Sequence, residues 1–102
     1  MIKEIKNDDL QGLDTDGTSL LWFSAEWCGP CRMLTPIISE LEGENPDIKI
    51  GKVNVDNNGS AARKYGVRGI PMLVFLKDGE VMSTSVGVDT KANIQAKLDA
   101  LK

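Results

Sequence analysis

The chain contains no histidine. Without an imidazole there is no Ser/His or Cys/His nucleophilic pair, and no zinc site that mixes cysteine with histidine. No apolar run approaches the ~20 residues that a membrane-spanning helix needs, so a soluble protein with no membrane partner is expected. Positive charge is in short supply: the net charge is −3, and the 12 Lys and Arg residues are scattered rather than clustered. Nucleic acid is therefore not an expected partner. The start, Met1-Ile2-Lys3-Glu4-Ile5, lacks the apolar stretch and small-residue cleavage site of a secretory signal, which fits a cytoplasmic protein or an already mature one. Internal repeats, low-complexity tracts and Pro/Gly/Ser-rich linkers are absent too, so residues 1–102 are expected to form a single domain. The hydrophobic fraction of 41% and charged fraction of 26% are ordinary globular values, enough for a core that buries a little over ~60% of the unfolded surface.

Hydrophobic patterning places the elements. Ile2 and Ile5 suggest a short first strand, and Asn7-Asp8-Asp9 offers N-cap candidates for a short helix that stops around Asp14 to Gly17. Residues 19–25 hold Leu20, Leu21, Trp22 and Phe23 in succession. A short unbroken apolar run of this kind fits a strand covered on both faces. From Cys28 to about Glu42, Met33, Leu34, Ile37, Ile38 and Leu41 recur at helical spacing, with Pro36 expected to kink the helix. Residues 48–55 read as a second central strand and 59–65 as a short helix burying Ala61, Ala62 and Tyr65. Met72 to Leu76 and Val81 to Val86 flank Lys77-Asp78-Gly79-Glu80, an Asp-Gly turn that predicts an antiparallel hairpin. A last helix begins near Asp89 or Thr90 and buries Ile94, Leu98 and Leu101. The order is strand, helix, strand, helix, strand, helix, strand, strand, helix. Right-handed crossovers followed by a hairpin imply an α/β fold: a mixed sheet of about five strands with helices on both faces.

The two cysteines lie in Trp27-Cys28-Gly29-Pro30-Cys31, where a buried strand ends and a helix begins. At a helix N-terminus the unpaired backbone N–H groups and the positive end of the dipole favour a thiolate over a thiol, lowering a pKa of ~8.5 towards neutrality. Cys28 occupies that position. Cys31 falls one helical turn on, close enough to attack a mixed disulfide formed by Cys28. Gly29 and Pro30 form the turn between them; Pro30 lies where its missing N–H is harmless and its fixed φ stiffens the loop. The competing readings are a purely structural disulfide, half of a zinc site shared across a dimer, and two unrelated buried cysteines. A structural bond across so short a loop constrains few conformations, and a shared zinc needs four ligands and an assembly that the sequence does not announce.

Taken in order, the segments 25–33 with Pro36 after them, 52–56, 64–71, 78–80 and Val86-Gly87 resemble the thioredoxin family over essentially the whole chain. The resemblance implies a thioredoxin fold and a dithiol–disulfide oxidoreductase. Such an enzyme reduces disulfide-containing proteins and is itself re-reduced by a reductase. It works as a monomer, with no metal or other cofactor beyond a redox-active Cys28–Cys31 disulfide. The Cys-Gly-Pro-Cys form resembles the reducing members rather than the oxidants; an oxidase or isomerase, or a docking module whose thiols do not turn over, are the alternatives. The resemblance also implies that Pro71 follows a cis bond, although ~5% of X–Pro bonds are cis by base rate. Trp27, Gly69, Ile70, Pro71, Val86, Gly87 and Val88 would then form an apolar rim that receives an extended substrate segment.

One departure stands out. Six residues ahead of the first cysteine the family usually places a buried aspartate, and this chain has Trp22; two residues later, where a tryptophan is usual, it has Ser24. Alternation puts both on one strand face, as if the bulky and polar positions had been exchanged. A serine hydroxyl is no base near neutral pH, so proton transfer falls to Lys52, Glu26, Asp56 or water. Lys52, usually the neighbour of that aspartate, is a candidate catalytic group because burial without an acidic partner disfavours its charged form.

Overall fold

A computed structural model describes residues 2–102. In chain order the elements are β1 (Lys3–Glu4), β2 (Thr18–Ser24), α1 (Gly29–Glu44), β3 (Lys49–Asn54), α2 (Gly59–Lys64), β4 (Met72–Lys77), β5 (Glu80–Val86) and α3 (Lys91–Asp99). The strands form one sheet in the order β1-β3-β2-β4-β5. β3 pairs in parallel with both β1 and β2, and β4 is antiparallel to both β2 and β5. This is the mixed five-stranded sheet of a thioredoxin fold.

Alternation along the strands divides the core into two layers. Leu20 and Trp22 of β2, Ile50 of β3 and Leu73 and Phe75 of β4 meet Leu34, Ile38 and Leu41 of α1 and Ile94 and Leu98 of α3. The opposite layer gathers Leu21, Phe23, Val53, Val74 and Leu76 under Leu10, Leu13 and Ala61. The helix α1 continues through Pro36, which lies on its exposed side, so the Arg32 carbonyl deprived of an N–H partner is open to water. At its end Asn45 is buried. Its amide donates to the Leu41 carbonyl at 2.8 Å and exchanges hydrogen bonds with Gln95 of α3 at 2.8 and 3.0 Å. Lys91 adds ion pairs to Glu40 and Glu44, joining the same two helices.

The helix expected between Asn7 and Gly17 is not formed. Asn7 and Asp8 adopt φ of +55° and +59°, the central pair of a tight turn in which the Asp9 N–H donates to the Lys6 carbonyl at 3.0 Å. Further turns follow, with Gln11 and Gly12 also at positive φ. Asn and Asp tolerate this left-handed conformation better than other side chains, which is why a cluster of them suits a turn as well as a helix cap. Leu10 and Leu13 are buried all the same and pin the segment to the sheet. The cap expected at the start of that helix is therefore absent, and Asp8 serves a different helix. Asp8 Oδ1 accepts the Ala61 N–H at 2.9 Å and so caps α2, a helix fifty residues away in sequence. Buried Asn58 locks the arrangement: its Oδ1 accepts the Asp8 N–H at 2.8 Å, and its amide donates to the carbonyls of Ile5 and Asn54 at 3.2 and 3.0 Å.

The Asp78-Gly79 hairpin turn has φ of +51° and +83°, the pair a two-residue primed turn requires. Gly79 is needed twice over, because a Cβ there would stand 2.5 Å from the Asp14 carbonyl oxygen. Asp78 grips the same loop: its N–H donates to the Gly17 carbonyl and its carboxylate accepts the Gly17 N–H, both at 2.9 Å.

Candidate active site

β2 ends at Ser24, and the chain turns through Glu26 and Trp27 into α1. The Cys28 N–H donates to the Ala25 carbonyl at 3.2 Å, which leaves Cys28 as the extended N-cap residue of the helix. Its sulfur accepts the Cys31 N–H at 3.2 Å. Cys28 and Cys31 form a disulfide, with their Cα atoms 5.3 Å apart. Both are buried, Cys28 at 5% exposure and Cys31 at 1%, and both pack against Ala25, Val55 and Ile70. Pro30 sits in the first helical turn, where no N–H is needed. A helix-terminal N–H aimed at Cys28 Sγ stabilises negative charge on that sulfur whenever the bond opens.

Around the pair lies an apolar rim. Trp27 is 68% exposed, and its indole N–H donates to Asp56 Oδ2 at 2.8 Å. The Arg32 guanidinium donates to the Glu26 carbonyl at 2.7 Å, bracing the turn from the helix side. The Ile70–Pro71 bond is cis. The Pro71 carbonyl accepts the Gly87 N–H at 2.8 Å, and a Cβ on Gly69 would stand 3.5 Å from Val86 Cγ1. These contacts draw Gly69, Ile70, Pro71, Val86 and Gly87 together, with Val86 and Val88 at 65% and 42% exposure. A shallow cleft of about 170 Å³ runs between Trp27, Val55, Ala62, Val67, Arg68 and Ile70.

Sequence reasoning did not place Val55 or Arg68 in this surface, nor did it foresee that Asp56, one of four alternatives offered for proton transfer, is the hydrogen-bond partner of Trp27. No local signal in the sequence reveals a contact between side chains 29 positions apart.

Lys52 stands apart from the rim. It lies opposite Trp22 in the parallel β2/β3 register, half-buried, with Nζ 5.0 Å from the centroid of the Trp22 ring. Trp22 and Ser24 are both buried, at 2% and 4% exposure. The indole N–H of Trp22 is buried without a hydrogen-bond partner. Among the described residues no group of three or more His, Cys, Asp or Glu is arranged to hold a metal ion, and no helix is long and apolar enough to cross a membrane.

A redox-active cysteine pair capping a helix at the end of a central strand defines a dithiol–disulfide oxidoreductase. The thioredoxin family profile matches residues 4–100. The chain is 44% identical to thioredoxin of Chlamydia pneumoniae over 91 residues, 89% of each protein. It is 50% identical to thioredoxin of Bacillus subtilis over 82 residues, 79% of each, and 45% identical to that of Pseudomonas aeruginosa over 89 residues, 86% of this chain and 82% of the other. The chain belongs to the thioredoxin family.

Proposed function

We propose that this oxidoreductase reduces disulfides of other proteins, with Cys28 as the attacking thiol and Cys31 as the resolving thiol. The Cys28 thiolate attacks one sulfur of the substrate disulfide; a Cys28–substrate bond forms, and the other substrate sulfur leaves as a thiolate. Cys31, deprotonated, then attacks Cys28 Sγ. The Cys28–Cys31 disulfide forms, the second substrate thiolate is released, and the substrate has gained two electrons. A reductase returns two electrons and two protons to the pair. The substrate segment lies extended along the backbone of Gly69, Ile70 and Pro71, with apolar side chains on Trp27 and on Val86, Gly87 and Val88. The protein works as a cytoplasmic monomer formed from a single domain, without metal.

The observation that carries the division of labour is the Cys31 N–H directed at Cys28 Sγ. It gives Cys28 the stabilised sulfur and leaves Cys31, the more buried of the two, as the group that needs only to reach its neighbour. Incubation with oxidised insulin tests this. Cys31→Ser is expected to accumulate a mixed disulfide that mass spectrometry locates at Cys28, and Cys28→Ser to form none and to reduce nothing. Insulin reduction by Cys28→Ser at a rate comparable to the parent would overturn the assignment.

A further inference from the structure

Lys52 is a half-buried cation opposite Trp22; Glu4 is its register partner on β1, but among the described residues no carboxylate forms an ion pair with it. What faces its ammonium is the Trp22 ring, 5.0 Å away at the centroid. The negative face of an indole attracts a cation at that distance, and does so more strongly where water is partly excluded. Trp22 itself is fixed, 2% exposed and packed among Leu20, Leu34, Ile38 and Leu73. Its N–H finds no acceptor in that core. A leucine or phenylalanine would fill such a site without stranding a donor. The indole supplies a large negative face directed at its neighbour on β3.

We infer that Trp22 is a positioning residue whose indole face seats the Lys52 ammonium, so that a positive charge is held beneath the Cys28–Cys31 pair and favours the Cys28 thiolate. The placement follows from the strand. Ala25, which packs on both cysteines, lies three residues beyond Trp22, roughly 10 Å at ~3.3 Å per residue. The other charges near the cysteines are Glu26 and Arg32 on their own segment, Asp56 at the end of β3, Arg68 ahead of Ile70, and Asp89 beyond Val88. Glu26, Arg32, Asp56 and Arg68 are exposed, and water and salt screen them within ~8–10 Å. Half-buried Lys52 is screened less, and its effect adds to that of the helix terminus.

The inference rests on Cys28 being the attacking thiol, and its test is separate from the insulin assay. Thiolate absorbance of the reduced protein is followed against pH in the parent and in single variants. A unit charge at this range shifts a titration by about half a pH unit. Lys52→Met is therefore expected to raise the Cys28 midpoint by that amount, an about threefold loss of thiolate below it. Lys52→Arg keeps the charge and restores the parental midpoint. Trp22→Leu removes the seat and moves the midpoint in the same direction as Lys52→Met, and the double variant moves it no further. Trp22→Phe, which keeps an aromatic face, stays nearer the parent and decides the matter if Trp22→Leu does not fold. An unchanged midpoint in Lys52→Met overturns the inference. So does a Trp22→Phe midpoint as high as that of Lys52→Met, or a Trp22→Leu midpoint equal to the parent's. A parent that titrates as expected but fails to reduce insulin would instead overturn the functional reading.

Discussion

On one face of the sheet, α1 and α3 lay Leu34, Ile38, Leu41, Ile94 and Leu98 over Leu20, Trp22, Leu73 and Phe75. On the other, a six-residue helix and a run of turns cover Leu21, Phe23, Val74 and Leu76. The first face is held by helices that bury continuous stripes. The second is held by Leu10 and Leu13 together with a few polar staples, above all Asp8 and Asn58. The difference matters because α1 brings the cysteines from the first face, while Val55 and Ile70, which pack against them, also belong to the second. The reacting sulfurs thus sit at the junction of a rigidly packed layer and a stapled one.

Breaking the packed face should have the largest effect. Ile38→Ala truncates a side chain with no exposure, facing the centre of the sheet, and is expected to lower stability by about 3 kcal/mol, read from urea denaturation of the oxidised protein. Cutting the staple is next. Asn58→Ala strands the Asp8 N–H and leaves the Ile5 and Asn54 carbonyls without that donor, and should lower stability by about 2 kcal/mol. Its added signature is faster hydrogen exchange at Asp8 and Ala61, with Leu34 and Ile38 following only the global change. If exchange accelerates uniformly, the two faces are not separable.

The smallest effect concerns the entrance to α3. Hydrogen bonds from the Asn93 side chain and then from the Thr90 N–H hold the Asp89 carboxyl below its ordinary pKa. A depressed carboxyl pKa adds stability that is complete above its unfolded value, near 3.8, and is lost as the pH falls through the lower folded value. The group is nearly solvent-exposed, so water screens most of the gain. Asp89→Asn should therefore lower stability by a few tenths of a kcal/mol at pH 7, and the gap to the parent should close towards pH 3. A gap that is constant with pH would mean that the charge contributes nothing.

The same contrast separates what the sequence discloses from what it hides. The helices of the packed face announce themselves through Leu34, Ile38 and Leu41, and through Ile94 and Leu98, at helical spacing. β2 does so through its apolar run, and the hairpin through Asp78-Gly79. The stapled face does not. Asn7-Asp8-Asp9 has the same composition whether it opens a helix or makes a left-handed turn, and the helix it caps becomes its neighbour only after β3 and α2 have folded back. At the site, the Cys28–Cys31 pair is legible from its spacing at a strand-to-helix junction, whereas the segments around Gly69 and Val86 are expected beside it only through the family resemblance. The Trp27–Asp56 hydrogen bond and the seat of Lys52 on Trp22 depend on register between strands, which side-chain periodicity alone leaves undetermined.

The grip of Asp78 on Gly17 has a kinetic consequence. The two residues are 61 positions apart, and a contact between them cannot reward the chain until the intervening strands have assembled and the entropy of closing that loop has been met. The turns from Asp14 to Gly17, with no helix of their own, are therefore expected to order late, when the hairpin tip arrives to fasten them. By the same token they should open early when the hairpin lets go. The end of the molecule farthest along the strands from the cysteines is the natural starting point for unfolding, so the reactive pair can remain in its packed surroundings while the opposite end frays.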